Sequence, residues 1–151
     1  MYKVLLVDDE ALIREAISEN TRWKELGYEL MGTCKNGREA IERLDQEEAD
    51  LVLTDICMPY VDGMELTRYL YEKHKGVKVI IISGYDDFEY AKTAVKYQVM
   101  DYILKPITAK ELAQTLTRVK EKLDEERFQR SDMKRIRGAY MSNLPILRGR
   151  F

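Results

Sequence analysis

Residues 51–63 read LVLTDICMPYVDG, and this stretch decides the fold. Its first three residues are apolar, as in a buried strand, yet Asp55 follows them and a Met-Pro turn comes shortly after. A strand that is apolar on both faces is typical of a parallel sheet that is covered by helices. We therefore interpret the stretch as a buried strand that carries Asp55 to an edge of a sheet.

The rest of the chain repeats this pattern, because strand-length apolar runs alternate with helix-length amphipathic segments. A repeated βα pattern with right-handed crossovers predicts an α/β fold. We expect a doubly wound, five-stranded parallel sheet with helices on both faces. The predicted strands cover residues 2–7, 28–34, 50–54, 77–83 and 100–104.

Four helix starts are marked by an N-cap residue that is followed three positions later by a glutamate, which is the pattern of a capping box. The side chain of the N-cap residue accepts a hydrogen bond from a backbone N–H of the first turn. The pairs are Asn36 with Glu39, Asp62 with Glu65, Asp86 with Glu89, and Thr108 with Glu111.

Length and composition exclude several classes of protein. With 151 residues, of which 45% are hydrophobic, the chain suffices for one domain with a core and an appendage. No apolar run approaches the roughly 18 residues of a membrane span and no signal sequence begins the chain, so we expect a cytoplasmic protein without a membrane partner. Cys34 and Cys57 lie far apart, which favours reduced thiols over a disulfide scaffold or a zinc site.

Chemically active side chains stand where the predicted strands end. Asp8 and Asp9 follow the first strand, Asp55 the third and Lys105 the fifth, while Ser83 closes the fourth. Open sheets of this type bind ligands at the carboxyl ends of their strands. Carboxylates held close together repel one another unless a cation is present, and oxygen ligands with room for water suit Mg²⁺, with Mn²⁺ as a substitute.

This set of groups predicts phosphoryl transfer. An aspartate can act as the nucleophile and form an aspartyl phosphate. A magnesium ion and a lysine neutralise the charge on the transferring oxygens. The sequence contains neither of the glycine-rich nucleotide-binding motifs G-x-x-x-x-G-K-[ST] and G-x-G-x-x-G. We therefore interpret the sheet edge as a phosphorylation site and not as a nucleotide site.

Four motifs resemble the receiver domain of two-component response regulators, in the order and spacing of that family. They are VDDE at 7–10, TDICMP at 54–59, SG at 83–84 and DYILKP at 101–106. The stretches 20–32 and 83–95 further resemble receivers that are joined to AraC-type DNA-binding domains. The resemblance implies a flavodoxin-like sheet with the strand order 2-1-3-4-5.

The resemblance implies a role for each acidic residue at the sheet edge. Asp55 is expected to be the phosphoacceptor. Asp9 and Asp55 are expected to bind Mg²⁺ directly, and Asp8 to act through a metal-bound water. The backbone carbonyl of Cys57 is expected to complete the protein ligands.

The resemblance also implies the groups that sense the phosphate. Lys105 is expected to pair with the phosphoryl oxygens, and Ser83, which stands where threonine is frequent in the family, to donate its hydroxyl to one of them. Tyr102 is expected to be an aromatic switch that turns inward. The bond between Lys105 and Pro106 is expected to be cis, as it often is in this family.

The implied partner is a sensor histidine kinase that donates the phosphoryl group. The receiver is expected to catalyse its own phosphorylation and dephosphorylation, and not to be a turnover enzyme. We also expect a phosphorylation-dependent homodimer, formed through the helix that begins at Asp86, the fifth strand and the last helix. The charged residues expected on this face are Lys92, Lys96, Asp101 and Arg118.

The end of the chain predicts a linker. Leu112, Leu116, Val119 and Leu123 form one stripe of a helix that begins at Thr108, and Gly138 is a plausible C′ residue for it. We expect residues 1–124 to be the receiver domain. Residues 125–151 are expected to be an extended helix or linker toward an output domain that this chain lacks, and DNA is expected to bind only through that domain.

Two other functions remain open at this stage. A magnesium-dependent phosphatase of the haloacid dehalogenase type also forms an aspartyl phosphate, but it usually needs a second acid two residues beyond the nucleophile, where Cys57 stands. Turnover of a phosphomonoester would favour that enzyme. A phosphate-independent interaction module would require that Asp55 is never labelled.

Overall fold

The computed structural model describes residues 1–84 and 96–142, with side chains as far as residue 129. The strands in this part of the chain are β1 (Tyr2–Val7), β2 (Tyr28–Cys34), β3 (Leu51–Asp55), β4 (Lys78–Ser83) and β5 (Asp101–Leu104). The helices are α1 (Ala11–Asn20), α2 (Trp23–Leu26), α3 (Gly37–Gln46), α4 (Gly63–Lys73) and α5 (Ala109–Ser142). Each predicted strand matches an observed one to within one residue at either end.

The five strands form one parallel sheet in the order β2-β1-β3-β4-β5. All five residues of β3, at the centre, are buried, so the sheet is covered on both faces there. Successive side chains of a strand point to opposite faces, and this explains why the central strands are continuously apolar instead of alternating. The predicted doubly wound α/β fold and its strand order are confirmed.

Three of the four predicted N-caps are confirmed by hydrogen bonds. The backbone N–H of Glu39 donates to Asn36 Oδ1 over 2.8 Å, and that of Glu65 donates to Asp62 Oδ1 over 2.9 Å. The third bond joins the N–H of Glu111 to the hydroxyl of Thr108 over 3.1 Å. Such a cap typically stabilises a helix by about 1 kcal/mol. The predicted cap at Asp86 lies outside the described residues.

A buried apolar cluster joins one face of the sheet to α3 and α4. Val7, Val52 and Ile81 contribute from three adjacent strands, and Leu44 and Leu70 contribute from the two helices. Burying an aliphatic side chain of this size contributes roughly 1.5–3 kcal/mol, so the cluster is a major source of stability for the frame that carries the strand ends.

The chain divides into two compact units, one formed by residues 1–117 and a second that begins at residue 118. The helix α5 contains the predicted stripe Leu112, Leu116, Val119 and Leu123, and all four side chains are buried. Gly138 does not end this helix, because the helical backbone continues to Ser142; a single glycine weakens a helix by about 1 kcal/mol and need not terminate it. Within residues 1–84 and 96–142, no helix is both long and apolar enough to cross a membrane.

Candidate functional site

The parallel register brings the predicted acidic residues to one edge of the sheet. Asp55 is the last residue of β3, and Asp8 directly follows β1. Val7 pairs with Thr54, so Asp8 and Asp55 come next in register on neighbouring strands. Both are almost completely buried, with relative exposures of 0% for Asp8 and 4% for Asp55. Two carboxyl groups thus lie side by side in a place that water scarcely reaches.

Lys105 brings a positive charge to these two carboxyl groups. Its Nζ lies 3.2 Å from Asp55 Oδ2 and 3.8 Å from Asp8 Oδ2. The backbone fixes this position, because the N–H of Lys105 donates to the carbonyl of Ser83 over 2.8 Å and extends the pairing of β5 with β4. The Lys105–Pro106 bond is cis, as the family resemblance implied.

Burial and a neighbouring negative charge together shift the pKa of Asp55. Burial raises the pKa of its carboxyl group and the neighbouring Asp8 raises it further, while Lys105 and the backbone N–H of Ile56 act in the opposite direction. The net effect raises the pKa of Asp55 to about 6. The lysine therefore offsets only part of the cost of ionising Asp55 in this environment.

The pKa values of Asp8 and Lys105, the two neighbours of Asp55, are shifted as well. Burial raises the pKa of Asp8, although a hydrogen bond from the backbone N–H of Glu10 and the charge of Lys105 lower it. Burial acts to lower the pKa of Lys105, but the carboxylates of Asp55 and Asp8 outweigh it and raise that pKa. The lysine thus stays charged, and the two carboxyl groups compete for it.

The acidic loop, residues 8–10, supplies a set of oxygen donors on the same edge. Carboxylate oxygens of Asp8, Asp9 and Glu10 lie within 4.8 Å of one another, and the latter two residues are exposed. Asp8 Oδ2 is buried and has no hydrogen-bond partner among the described residues. Oxygen-only donors around an unpaired buried carboxylate oxygen fit a hard divalent cation such as Mg²⁺.

Ser83 lies on β4, the strand next to Asp55, and Tyr102 lies on β5, one strand further out. Ser83 closes β4 and is fully buried, and its hydroxyl has no hydrogen-bond partner in the described part of the chain. Tyr102 lies in β5 opposite Ile81 and packs against the apolar cluster. Its hydroxyl oxygen is likewise buried without a partner among the described residues, and burial raises the pKa of this phenol. Each side chain thus has an unused polar group inside the fold.

The other predicted residues are Cys57 and the four charged residues of the expected dimer face. Cys57 is exposed and lies two residues beyond Asp55, and the role of its carbonyl stays a prediction. On the predicted dimer face, Lys96 is exposed and Asp101 is partly buried, while Lys92 lies outside the described residues. Arg118 is exposed at the first position of the second unit. The dimer face therefore also stays a prediction.

Two features near the sheet escaped the sequence reasoning. Glu10 joins Asp8 and Asp9 in the acidic loop, and its place as the third acid of VDDE was the signal that could have identified it. Asp45 accepts hydrogen bonds from Tyr69 Oη and lies 2.9 Å from His74 Nε2, so it links α3 to α4 and its C-cap. No local sequence pattern could have paired His74 with Asp45, because the two residues lie 29 positions apart in the chain.

The sequence matches the response regulator receiver domain family over residues 4–117. It is 39% identical over 119 residues to the uncharacterized transcriptional regulatory protein YesN of Bacillus subtilis, covering 79% of this chain and 32% of YesN. It is 38% identical over 129 residues to the transcriptional regulatory protein HptR of Staphylococcus aureus, covering 85% of this chain and 50% of HptR. The chain thus spans between a third and a half of these relatives.

Two solved structures have a fold similar to that of this chain. The receiver domain of AraT, a response regulator from Geobacillus stearothermophilus, superimposes with a TM-score of 0.80 at 41% identity, over 83% of this chain and 98% of that one. A two-component transcriptional regulator AraC from Clostridium phytofermentans gives a TM-score of 0.78 at 31% identity, over 84% and 98% of the two chains.

Proposed function

Because the chain belongs to the response regulator receiver domain family, we propose that it is a phosphorylation switch in which Asp55 accepts a phosphoryl group from a sensor histidine kinase. One observation carries this proposal. Asp55 is buried at the end of β3, with Lys105 Nζ 3.2 Å from its Oδ2 and the carboxyl group of Asp8 beside it. A salt bridge built only for stability would not place a second, competing carboxylate in the same buried space.

The transfer uses Asp55 as the nucleophile. A carboxylate oxygen of Asp55 attacks the phosphorus of a phosphohistidine in line, a new O–P bond forms, and the P–N bond breaks with its electron pair going to the imidazole nitrogen. Lys105, which faces Asp55 in the unphosphorylated protein, then pairs with the phosphoryl oxygens. Its raised pKa keeps it protonated for this role at neutral pH.

Asp8, Asp9 and Asp55, with the carbonyl of Cys57, would hold Mg²⁺ at this edge, and Glu10 adds a further carboxylate to the loop. When bound, the ion supplies positive charge that stabilises the phosphoryl oxygens during transfer. Asp8 Oδ2 supports this assignment, since it is buried and accepts no hydrogen bond among the described residues, and Lys105 Nζ, 3.8 Å away, is too distant to donate one.

Ser83 and Tyr102 are proposed to read the phosphate. The Ser83 hydroxyl is buried without a partner among the described residues, which leaves it available to donate to a phosphoryl oxygen on the neighbouring strand. Movement of Ser83 toward the phosphate makes space that Tyr102 fills from β5. The two states then differ at the surface around β5, where an output is coupled by a shift in population.

The proposed output is control of transcription in the cytoplasm. The relatives YesN and HptR are named as transcriptional regulatory proteins, and this chain matches only part of each. We propose that the receiver acts on a DNA-binding domain of the AraC type that is connected through α5. In this scheme the receiver makes one aspartyl phosphate per chain and catalyses its hydrolysis, without turning over a separate substrate.

The test is stoichiometric labelling. The protein is incubated with MgCl₂ and acetyl phosphate or phosphoramidate, and its intact mass is measured. The expected result is the addition of one phosphoryl group, which is lost in Asp55→Asn and blocked by EDTA. Unlabelled wild-type protein, or labelling that survives Asp55→Asn, would show that Asp55 is not the acceptor. Continuous release of phosphate from a phosphomonoester would instead support a phosphatase.

A further inference from the structure

Arg14 contacts the backbone of the acidic loop from the first turns of α1. Its Nη1 donates to the carbonyl oxygen of Asp8 over 2.6 Å, and its backbone N–H donates to the carbonyl of Glu10 over 3.1 Å. A guanidinium group is charged at all accessible pH values, so its bond to a carbonyl is stronger than a neutral one. Arg14 therefore holds the loop from one turn inside the helix.

The geometry of a helix explains how Arg14 reaches back to the loop. Helical side chains lean toward the amino terminus of their helix, so a long side chain in the first turns covers the residues that precede it. Glu10, the N-cap of α1, has an extended backbone, and its side chain makes no capping hydrogen bond. The connection between loop and helix thus depends on Asp8 and Arg14 instead of a conventional cap.

These contacts leave Asp8 with one uncommitted atom. Its N–H donates to the carbonyl of Cys34 over 3.0 Å, its Oδ1 accepts from the N–H of Glu10 over 2.9 Å, and its carbonyl accepts from Arg14. Only Oδ2 has no hydrogen bond within the described residues, and it lies 3.8 Å from Lys105 Nζ. The backbone contacts therefore present Oδ2 toward the phosphoryl site.

We propose that Arg14 is a positioning residue, which holds the acidic loop in the arrangement that binds a divalent cation. The inference rests on the proposed function, because it assigns Arg14 to the magnesium site of the same switch. Arg14 touches the loop through the Asp8 carbonyl, so it acts through Asp8 and not on the phosphoryl group.

A second arginine provides a matched control. Arg43 in α3 also donates to a backbone carbonyl, from Nη2 to the oxygen of Met31 over 2.9 Å, and it also ties a helix to a neighbouring segment. Its target lies in β2, the edge strand, which none of the predicted site residues occupies. Arg43 also pairs with Glu47 over 3.3 Å, so removing it reports what an arginine with a bond to a carbonyl contributes to stability away from the predicted site.

The experiment compares wild type, Arg14→Met, Arg14→Lys and Arg43→Met. The dissociation constant for MgCl₂ is measured by calorimetry, and folding is checked by circular dichroism and thermal melting. Loss of a residue that orients a metal ligand typically weakens affinity by 10-fold or more, so Arg14→Met is expected to bind MgCl₂ about 10-fold more weakly. Arg14→Lys, which keeps a cationic donor, is expected to recover part of this loss, and Arg43→Met is expected to lose stability while its affinity for MgCl₂ is unchanged.

A kinetic measurement separates positioning from catalysis. Because Arg14 does not contact the reacting atoms, the labelling rate of Arg14→Met by phosphoramidate is expected to approach that of wild type once MgCl₂ saturates the site. A labelling rate that stays low at saturating MgCl₂ would overturn the positioning role. If Arg14→Met does not fold, the affinity of Arg14→Lys relative to wild type and Arg43→Met decides the question by the same criterion.

Three further outcomes distinguish the proposals. If wild type binds MgCl₂ and is labelled, but the Arg14 variants bind MgCl₂ as tightly as wild type, the role of Arg14 is refuted and the proposed function stands. The same holds if Arg43→Met weakens MgCl₂ binding as much as Arg14→Met does. If wild type itself neither binds MgCl₂ nor is labelled, the proposed function fails first, and the inference about Arg14 fails with it.

Discussion

Asp55 is both buried and flanked by charged groups. As the last residue of a fully buried strand it is cut off from water, and yet it lies between a carboxylate and an ammonium group. Burial and Asp8 raise its pKa to about 6, so at neutral pH its ionised form is tolerated at a cost to stability. The same cost makes the site receptive to a divalent cation, which relieves the repulsion between Asp55 and Asp8.

The raised pKa of Asp55 predicts how stability depends on pH. A carboxyl group whose pKa is raised by folding stabilises the fold while protonated, and this contribution is lost as the pH rises through about 6. In EDTA at pH 8, Asp55→Asn is therefore expected to unfold with a free energy about 1–3 kcal/mol higher than wild type. The gain is expected to shrink at pH 5. Urea denaturation of wild type and Asp55→Asn at both pH values measures this difference in stability. If Asp55→Asn is less stable than wild type at pH 8, the prediction is contradicted.

Asp45 provides a comparison, because its pKa is lowered in the folded protein whereas the pKa of Asp55 is raised. Hydrogen bonds from His74 and Tyr69 lower the pKa of Asp45, so its contribution is present above its ordinary pKa and is lost in acid. Asp45→Asn is expected to lower the free energy of unfolding at pH 8, where Asp55→Asn raises it. Equal signs for the two substitutions in the same urea experiment would show that general charge, and not the local environment, governs stability.

The Ser83 hydroxyl is predicted to matter only in the phosphorylated state. Because this buried group has no partner among the described residues, Ser83→Ala is expected to change the free energy of unfolding by less than about 1 kcal/mol. The rise in melting temperature on adding MgCl₂ with beryllofluoride, a phosphate mimic, is expected to shrink in Ser83→Ala. Ser83→Thr, which keeps the hydroxyl, is expected to behave as wild type. A full rise in Ser83→Ala would remove Ser83 from the switch.

Among the elements, Gly63 lets α4 begin directly against β3, the strand that carries Asp55. The N–H of Gly63 donates to the carbonyl of Ile56 over 2.8 Å, while Asp62 caps the helix. A Cβ on Gly63 would clash with the carbonyl oxygen of Asp55. This close approach ties the start of α4 to the backbone that presents Asp55.

Gly63→Ala is therefore predicted to strain this junction. Overpacking against a backbone atom costs roughly 1–3 kcal/mol, and the upper part of this range is expected because the carbonyl belongs to a central strand. Gly76→Ala is the control, since no atom lies within 4 Å of the added Cβ, and it is expected to change stability by less than about 0.5 kcal/mol. Chemical denaturation compares the two, and equal losses would refute the close-contact explanation.

For the whole molecule, the order of the strands makes the site. The sheet order β2-β1-β3-β4-β5 puts β3 between β1 and β4, so Asp55 has Asp8 on one side and Ser83 on the other, with Lys105 reaching in from the outer strand. A different order of the same strands would separate these groups. The chemistry is thus a property of the topology, and it resides in the unit formed by residues 1–117.

Phosphorylation is predicted to change the state of assembly. Sedimentation velocity with MgCl₂ and beryllofluoride is expected to show a shift from monomer to dimer, because the switch around β5 completes a surface that carries charges such as Lys96 and Asp101. Asp55→Asn is expected to stay monomeric under the same conditions. A wild-type protein whose mass does not change at high concentration would count against dimerisation.

Local sequence patterns predicted all five strands and three of the helix caps, because periodicity and capping depend on residues that are near one another in the chain. The strand-end residues were also predictable, since parallel strands of one sheet end on a common edge. The order of the strands followed from resemblance to a family and not from the residues themselves. The domain boundary at residue 124 and the dimer face are not tested by these local patterns, and both stay predictions.

The groups that meet at the edge of the sheet could thus be inferred from the sequence. Their interactions became visible only in the folded chain: the burial of Asp8 and Asp55, the 3.2 Å approach of Lys105, and the contact of Arg14 with the Asp8 carbonyl. The physical reason is that pKa shifts and charge-assisted hydrogen bonds depend on distances of a few ångströms between side chains and backbone, and packing of the elements sets these distances.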